Sequence, residues 1–509
     1  MKSSLGWFSK TFLSTNNKGP AGLFFVDPSE VFMERHLYRF RRADRLLGKD
    51  ATESQAAVPG ELEKLEIYFA PPEQLNDPLE GYREIYWSGD RIAWINLFRH
   101  YLLVLAYRSW QIDDVQLGVN LPKELPTWLY PSKLEDICLA AFQEMDTLLR
   151  EDEVFQGYAI AFAKDENKHY KPQLLHYLIG LHSRFLSIVL TVNERHKMTS
   201  VRQSEPPFRH DLDAEYHLRP IGEIERYGGV GQKFDTYRQV ALSVSAFDIK
   251  TFNLMPKEIP LRELFELFAG QYLDGIEVLM HPRWYVACFM KECDNSAIWG
   301  SYGDNHKAIC LKYRVSEQEN DFSLEINRPV GTGSGGIEFG FQGMHFKEVF
   351  YNRDHSEIDF FRSLENVPNE ALGGFWYNDG YDELSTTSEW FKTDSSERRD
   401  EHWKRFYFAL TSKLPQWESE KEYRLVLNSC MDISEKKYRA LGYRFSSLEG
   451  IIFGIKTPLE HKLKAIRIIK AHCENEGREN FNFYQAYYNP ETKSIQHALL
   501  PVSIDDVGI

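Results

Sequence analysis

Short runs of apolar and aromatic residues lie in two separate parts of the chain. The first part contains HLYRFR and LEIYFAPPEQL, which is followed by the turn-forming residues Asn76, Asp77 and Pro78. The second part begins after Arg283 and contains WYVACFM, AICLKY, EVFY, YRLVL, GIIFGI, AIRII and NFYQAYY. Short runs rich in β-branched and aromatic residues predict strands. One short helical segment is predicted among them at Ala297–Tyr302.

Helical periodicity predominates between these two parts, from residue 87 to residue 280. The clearest helix is predicted to start at Ser132, which forms a capping box with Glu135. The apolar residues that share one face of this helix are Leu134, Ile137, Cys138, Ala141, Phe142, Met145 and Leu148. Leu174–Val192 and Leu261–Leu279 show the same spacing and are also predicted to be helices.

Two polar stretches are predicted to be neither helix nor strand, one in the helical part and one in the second strand-rich part. Ser204–Asp235 is predicted to be a loop, and Asn369–Asp400 a long surface loop. The simplest architecture is an α+β fold whose mixed β-sheet core is split in sequence by a large, mostly helical insertion. The predicted divisions are residues 1–89 for the first half of the core, 90–283 for the insertion, 284–470 for the second half, and 471–509 for a C-terminal strand-like segment.

Composition and charge limit the classes of protein to which the chain can belong. With 509 residues, 43% hydrophobic and 14% aromatic, the chain is long enough for several buried cores and is not disordered as a whole. Its net charge of −15 argues against a broad nucleic-acid groove, although a local basic patch stays compatible with it. The apolar stretches near residues 94–107 and 174–192 contain Arg and His, which predicts buried helices and no membrane span.

The cysteines and the N-terminus indicate a compartment. The six cysteines show no CxxC pair and no regular spacing, which is typical of free thiols in a reducing cytosol. The N-terminal stretch MKSSLGWFSK begins no apolar core of signal-peptide length. We therefore expect an unprocessed cytoplasmic protein.

Six pieces of the two strand-rich parts follow one another in a recognisable order. They are Leu37–Arg41; Ile67–Pro72 with Asn76-Asp77-Pro78; Ala287–Phe289 with Ile298–Leu311; Val349–Tyr351; Lys413 with Trp417–Leu425; and Gly450–Gly454. In this order they resemble a bacterial family known as domain of unknown function 2971, and they leave out the helical insertion. The chain departs from the family pattern at Ile298, where Met is common, at Ala308, where Gly is common, and in the larger size of its insertion. Members of the family resemble proteins encoded among phage-defence and abortive-infection genes, which implies a bacterial defence protein.

The segment with the highest concentration of candidate catalytic side chains is Trp417–Arg424. If this segment is a strand, Glu418, Glu420 and Glu422 point to one face. Three carboxylates on one face repel one another, and partial burial would raise the pKa of at least one of them, as acid–base sites require. The alternative is a solvated edge strand whose glutamates pair with nearby Lys and Arg.

Beside an early Tyr-Arg pair, this segment is similar to the plan of ADP-ribosyltransferases. In that fold an aromatic residue stacks on nicotinamide and a glutamate on a late strand serves the chemistry. The resemblance implies Glu420 as the catalytic carboxylate, Glu422 as its assistant and Tyr302 or Trp299 as the stacking face. Cleavage of the nicotinamide–ribose bond passes through an oxocarbenium-like state, which a carboxylate beside the ribose stabilises. Core packing is the alternative for the two aromatic residues.

The same resemblance implies that NAD is the bound dinucleotide, as a substrate. Tyr38, Arg39 and Arg41 would contact it, with the guanidinium groups holding the pyrophosphate by bidentate hydrogen bonds. Asn76 would contribute a contact on the substrate side, and His306 would be a ligand or a general base. The alternatives are a solvated strand edge for the arginines, a tight turn for Asn76 and a structural hydrogen bond for His306.

Three other motifs point less directly to chemistry. Gly331–Gly336 satisfies G-x-G-x-x-G, but the extended-looking Ile337–Phe341 follows it in place of a helix, so we expect a flexible loop. His210–His217 gathers five metal-ligand side chains without helical HExxH spacing and is expected to be a solvated loop. Glu435-Lys436-Lys437 gives an E-x-K motif, but Asp432 is too close in sequence to be its usual partner. None of these motifs predicts a metal site.

The sequence therefore predicts a cytoplasmic, NAD-dependent ADP-ribosyltransferase-like effector of phage defence that modifies a macromolecule or hydrolyses NAD. The expected partners are a protein or nucleic-acid acceptor and an antitoxin or phage-derived trigger. Two alternatives stay open: a non-catalytic recognition module of a defence system, and a metal-dependent nuclease.

Overall fold

The fold was derived from a computed structural model of the 509-residue chain. The structure describes residues 35–50, 56–77, 79–115, 121–122, 124–164, 168–198, 263–318, 321–352, 357–381, 383–392, 395–429 and 431–502. The predicted loop Ser204–Asp235 and the His210–His217 cluster lie outside these residues.

Helices and strands alternate in the two outer parts of the chain, and helices dominate the middle. The helices are α1 (Ala43–Leu46), α2 (Glu61–Lys64), α3 (Arg91–Val115), α4 (Asp136–Glu151), α5 (Glu153–Ala163), α6 (Lys171–His196), α7 (Phe268–Gly275), α8 (Ser296–Ser301), α9 (Asn369–Ala371), α10 (Ser395–Leu410) and α11 (Leu459–Glu476). The strands are β1 (Arg35–Arg41), β2 (Glu66–Tyr68), β3 (Glu84–Trp87), β4 (His169–Tyr170), β5 (Trp284–Met290), β6 (Ile309–Gln318), β7 (Asp321–Gly333), β8 (Gly336–Glu348), β9 (Phe350–Tyr351), β10 (Glu357–Asp359), β11 (Ser412–Lys413), β12 (Glu422–Asn428), β13 (Ala440–Tyr443), β14 (Leu448–Phe453), β15 (Asn482–Asn489) and β16 (Ser494–Leu499). The predicted α+β class is confirmed.

The main sheet has eleven strands in the order β16-β15-β14-β6-β1-β5-β12-β8-β7-β13-β2. Strand β7 pairs with β6 as well as with β8, so six antiparallel strands, β6-β1-β5-β12-β8-β7, close into a barrel. Strands β14 and β15 are parallel, which makes the sheet mixed, as predicted. Because β1 precedes the helical part and the other five barrel strands follow it, the barrel joins the two strand-rich parts of the sequence.

Alternation along each strand separates the barrel interior from its outer surface. Leu37 on β1, Phe289 on β5 and Leu425 on β12 belong to one buried cluster inside the barrel. Phe40 and Met290 lie on the outer surface and pack in a second cluster under α8. Successive residues of one strand therefore lie alternately in the barrel interior and on its outer surface.

The helical part has its own core, built from α3 to α7. Residues 358–377, which follow β9 in the second strand-rich part, pack into this helical core and not into the barrel. By length and composition α6 could cross a bilayer, but 56% of its most apolar stretch is buried in the fold, and buried core helices meet the same criterion. This helix is weak evidence for a membrane span.

Several local predictions were wrong. AIRII lies within α11, because its apolar residues continue a helical repeat with Cys473. Asn369–Asp400 contains helical turns whose aromatic residues, such as Trp376, are buried, so it is not simply a surface loop. The glycine-rich Gly331–Gly336 forms the end of the β7–β8 hairpin, with Gly333 paired to Gly336. The helix predicted from Ser132 exists as α4, but it begins after Glu135 and has no side-chain cap.

Candidate active site

A cleft of about 1140 Å³ opens where β1 separates from β5. These two strands share one paired position, Tyr38 with Met290. Further along β5, Val286 pairs with Ala70 instead, through backbone hydrogen bonds of 2.8 and 2.9 Å. Cys288, between these two positions on β5, lines the cleft. The departure of one barrel strand therefore creates the opening.

Seven of the nine predicted site residues line this cleft: Tyr38, Arg39, Arg41, Asn76, Tyr302, Glu420 and Glu422. The charged lining residues fall into two groups. The acid end consists of Glu80, Glu420 and Glu422 around Lys413, all four of them buried. The basic end consists of Arg39, Arg41, Arg45, Lys49, Lys64, Lys436 and Lys437, with Asp44, Glu61 and Glu66 among them.

Lys413 is the centre of the acid end. Its Nζ lies 2.9 Å from Glu80 Oε1, 2.7 Å from Glu420 Oε2 and 2.8 Å from Glu422 Oε2. A second buried cation, Arg424, holds Glu422 by two hydrogen bonds of 2.8 and 3.1 Å and approaches Glu80 Oε1 at 3.1 Å. Three carboxylates thus share two cations, which leaves one formal negative charge in a buried group.

The backbone places Glu420 and Glu422 differently from the prediction. Glu420 ends a 3₁₀ helix, Pro415–Glu420, and Glu422 starts β12, so the segment is not a continuous strand. Lys421 between them has a left-handed conformation with φ of 44°, which costs a non-glycine residue about 1–2 kcal/mol. This local turn lets both carboxylates face Lys413, whereas Glu418 is exposed.

Burial and charge act in opposite directions on the carboxyl groups of the acid end. Burial raises the pKa of Glu80, even though Arg424 and Lys413 lower it. For Glu422 burial acts in the same sense, but Arg424 and Lys413 together outweigh it and lower its pKa from 4.5 to about 2. Desolvation lowers the pKa of Lys413, but Glu422 and Glu80 outweigh it, so the net shift is upward. Glu80 therefore takes up a proton more readily than Glu422, which stays ionised.

The Glu422 shift predicts a specific acid sensitivity. Its folded-state pKa lies below the unfolded value, so its contribution to stability is complete above about pH 4.5 and is lost as the pH falls toward 2. We expect Glu422→Gln to lose less stability than wild type between about pH 5 and pH 3 in urea unfolding. The control Glu418→Gln removes an exposed carboxylate nearby. Its free energy of unfolding should depend on pH as that of wild type does. If the free energy of unfolding changes equally with pH in wild type and in Glu422→Gln, the lowered pKa is not that of Glu422.

Tyr302 connects the acid end to the rest of the cleft. It follows α8, and its hydroxyl donates a 2.5 Å hydrogen bond to Glu420 Oε1. The side chain of Asn76 also hydrogen-bonds Tyr302. Burial and Glu420 raise the pKa of the Tyr302 hydroxyl despite Lys413, so it stays protonated and donates to the carboxylate. Asn76 also stands at the predicted turn, where Asp77 Oδ1 accepts a 2.9 Å hydrogen bond from the Leu79 amide.

Arg39 and Arg41 begin the basic end and point to the inner side of β1. Arg39 is buried, donates a 2.8 Å hydrogen bond to the Tyr68 carbonyl and lies over the Phe289 ring. Its Nη1 has no hydrogen-bond partner among the residues that the structure describes. Burial and the neighbouring Arg41 lower the pKa of the Arg39 guanidinium. Arg41 forms an ion pair with Glu61, so Arg39 is the buried cation with a donor to spare.

Two predicted site residues do not line the cleft. Trp299 is fully buried, its ring meets Phe40 edge-on at 4.8 Å, and its Nε1 donates to the Cys293 carbonyl at 2.8 Å. A ligand cannot stack on this indole without displacing the core, so the packing alternative is correct for Trp299. His306 lies in the turn after α8 with φ of 69°, where its amide donates to the Trp299 carbonyl. Tyr302 is the aromatic residue of this segment that reaches the cleft.

Sequence reasoning missed Glu80 and Lys413 as site residues. Lys413 stands within the pieces that carry the family resemblance and Glu80 lies two residues after one of them, but neither had a local pattern that indicated chemistry. Glu80 reaches the site because the Asp77 turn reverses the chain, and Lys413 because β11 pairs with β9. The available signal was the position of Lys413 just before the glutamate-rich segment Trp417–Arg424, because buried carboxylates need a cation to be stable.

Gly81 fixes the backbone next to Glu80. Its φ is +69°, and an added Cβ would lie 2.3 Å from the Trp284 ring. Gly477 has nearly the same φ, +66°, but nothing lies within 4 Å of the added atom. We therefore expect Gly81→Ala to lower the free energy of unfolding by about 1–3 kcal/mol more than Gly477→Ala does, as measured in urea. Equal losses would show that the clash with Trp284 is absent.

The acid end does not form an open cation site. Lys413 Nζ lies at the point where the three carboxylates converge. Within the described ranges, no group of three His, Cys, Asp or Glu side chains is arranged to hold a metal ion. The metal-dependent nuclease hypothesis therefore gains no support from this cluster. The described cysteines are free thiols.

A family comparison covers Lys413, Glu420 and Glu422 of the acid end but not Glu80. Residues 298–425 match the model of a family described as Protein of unknown function (DUF2971). The matched segment includes Tyr302, Lys413, Glu420, Glu422 and Arg424 and leaves out β1 and Glu80. The resemblance to this family that the sequence indicated is confirmed for this segment. No curated protein and no solved structure matches the chain.

Proposed function

We propose that the cleft binds NAD, with the nicotinamide riboside at the acid end and the pyrophosphate at the basic end, and that the protein transfers ADP-ribose to a macromolecule or hydrolyses NAD. The observation that supports this proposal most strongly is the division of charge within one cleft. A dinucleotide carries a cationic nicotinamide at one end and an anionic pyrophosphate in the middle. Buried carboxylates at one end and arginines at the other complement that pattern.

The acid end supplies groups suited to cleavage of the nicotinamide–ribose bond. The bond between ribose C1′ and the nicotinamide nitrogen breaks, and its electron pair leaves with the nicotinamide. Positive charge then develops on the ribose, and Glu420 stabilises that charge. Tyr302 and Lys413 each hold one oxygen of Glu420, which fixes the carboxylate before the reaction starts.

The second half of the reaction needs an acceptor and a base. An oxygen or nitrogen of the acceptor forms a bond to C1′ and loses its proton. Glu80 Oε2 has no hydrogen-bond partner among the described residues and lines the cleft, and burial raises the pKa of this carboxyl group. A carboxylate with a raised pKa is the better base, so Glu80 takes the proton. With water as the acceptor, the products are ADP-ribose and nicotinamide.

The biological setting of the proposal rests on the family resemblance. Proteins encoded among phage-defence and abortive-infection genes act inside the infected bacterium, so the acceptor would be a cellular or phage protein or nucleic acid. A toxic reaction of this kind needs an antitoxin or a phage-derived trigger to control it. NAD would be consumed as a substrate in either version of the reaction.

NAD binding tests the basic end of the proposal. Arg39→Met removes a buried guanidinium that lines the cleft and whose Nη1 has no hydrogen-bond partner among the described residues, and a charge-assisted hydrogen bond from such a group to a phosphate contributes about 1.5–3 kcal/mol. We expect the Kd for NAD to rise about 10- to 100-fold in calorimetric titration. The control Arg444→Met removes an exposed guanidinium that does not line the cleft and that pairs with Glu325, and it should leave the Kd unchanged. Equal affinity of both folded variants would exclude Arg39 from the site.

One observation favours a second candidate, a non-catalytic recognition module. Lys413 contacts all three carboxylates of the acid end, which is also the arrangement of a structural ion network. A module of this kind would bind a dinucleotide or a peptide without breaking a bond. Tight NAD binding with no nicotinamide release, with and without cell extract, would favour this candidate.

A further inference from the structure

We propose that the preferred dinucleotide carries a third phosphate, and that the protein binds NADP more tightly than NAD. This inference rests on the proposed function. Seven basic and three acidic side chains line the basic end, an excess of four formal positive charges. The pyrophosphate of NAD supplies two negative charges, whereas the added 2′-phosphate of NADP brings the total to about four.

The surplus cations remain after the ion pairs are counted. Arg41 pairs with Glu61, Lys64 Nζ lies 3.7 Å from Glu66, and Lys437 Nζ lies 3.0 Å from Glu435. In the part of the chain that the structure describes, no ion pair joins Arg45, Lys49 or Lys436 to a carboxylate. All three side chains line the cleft and are exposed. Arg39, which is buried, is assigned to the pyrophosphate, so these exposed cations are available to a further anionic group of the ligand.

The position of these cations fits the adenosine end of the ligand. The Tyr68 ring lines the cleft at this end, and the Arg439 guanidinium lies over it, 5.4 Å from its centre. Lys436 Nζ lies 5.9 Å from the centre of that ring. An adenosine ribose bound beside these cations would present its 2′-position to them, where NAD has a neutral hydroxyl. The 2′-phosphate of NADP would place its charge beside Lys436 and Lys437.

Calorimetric titration of the full chain with NADP and with NAD, at one ionic strength, tests the inference. We expect NADP to bind about tenfold more tightly, or better, because its 2′-phosphate forms charge-assisted hydrogen bonds that NAD cannot form. Lys436→Gln/Lys437→Gln should lower the ratio of the two affinities to about two or less. The matched control Lys307→Gln/Lys456→Gln removes two exposed lysines outside the cleft and should keep the wild-type ratio.

The outcomes separate this inference from the proposed function. If both dinucleotides bind with equal affinity, the preference for a third phosphate is wrong and the proposed function stands. If NADP binds more tightly but Lys436→Gln/Lys437→Gln leaves the ratio of the two affinities unchanged, other residues cause the preference. The assignment to Lys436 and Lys437 is then wrong. If neither dinucleotide binds, both the inference and the proposed function fail.

Discussion

Replacement of Glu420 by Gln is expected to abolish nicotinamide release while NAD binding persists. Gln has the shape of Glu, so its side-chain oxygen can still accept from Lys413 or Tyr302. The missing negative charge, however, removes the group that stabilises the positive ribose. Loss of a preorganised electrostatic group of this kind lowers turnover by about 10²–10³-fold or more. Single-turnover release of nicotinamide, measured by chromatography, gives the rate.

A neighbouring glutamate provides the control for Glu420. Glu418 lies on the same 3₁₀ helix but is exposed, so Glu418→Gln removes an equal charge outside the acid end. Its turnover should match that of wild type. Wild-type turnover in Glu420→Gln, or an equal loss in Glu418→Gln, would contradict the assignment. Thermal unfolding of each variant separates lost chemistry from lost structure.

Replacement of Lys413 by Met should cause the largest loss of stability. It leaves Glu80, Glu420 and Glu422 buried with Arg424 as their remaining cation. Removal of one partner from a buried ion network costs about 3–5 kcal/mol, because uncompensated charge stays in a low-dielectric environment. The free energy of unfolding in urea measures this loss.

Two further variants test the cause of that loss. Lys421→Met removes an exposed lysine that pairs with Glu292 at 2.6 Å, and its effect should be below about 1 kcal/mol. Glu420→Gln added to Lys413→Met relieves repulsion among the remaining carboxylates, so the double variant should lose less stability than the sum of the two single variants. Additive losses would mean that Lys413 does not compensate Glu420.

The local sequence pattern predicted four strands of the barrel, β1, β5, β6 and β12, but not the β7–β8 hairpin, and it predicted little of the geometry of the site. β1 and β5 were predictable because their apolar residues alternate or run together between turn residues. The AIRII segment shows the limit of this reasoning. Its residues Ala465, Ile466 and Ile469 fit a helical repeat as well as a short strand. In the structure they lie on one face of α11 and pack against the barrel core, which stabilises the helix.

The candidate site was predictable in its carboxylates but not in their partners. Glu420 and Glu422 stood out as an unusual concentration of charge beside an apolar strand, although the predicted strand geometry was wrong. The left-handed residue Lys421 turns the chain between them, and no turn-forming residue type marked that position. Glu80 meets Lys413 across more than half of the sequence, a contact that one sequence alone does not reveal.

The most direct test of the central claim is nicotinamide release from NAD by the purified wild-type protein. The reaction is followed with and without cell extract as a source of acceptor, and linked ADP-ribose is measured on protein and on nucleic acid. The proposed function predicts release in at least one condition, with ADP-ribose either free or attached to a macromolecule. Absence of release in every condition, together with absence of NAD binding, would contradict it.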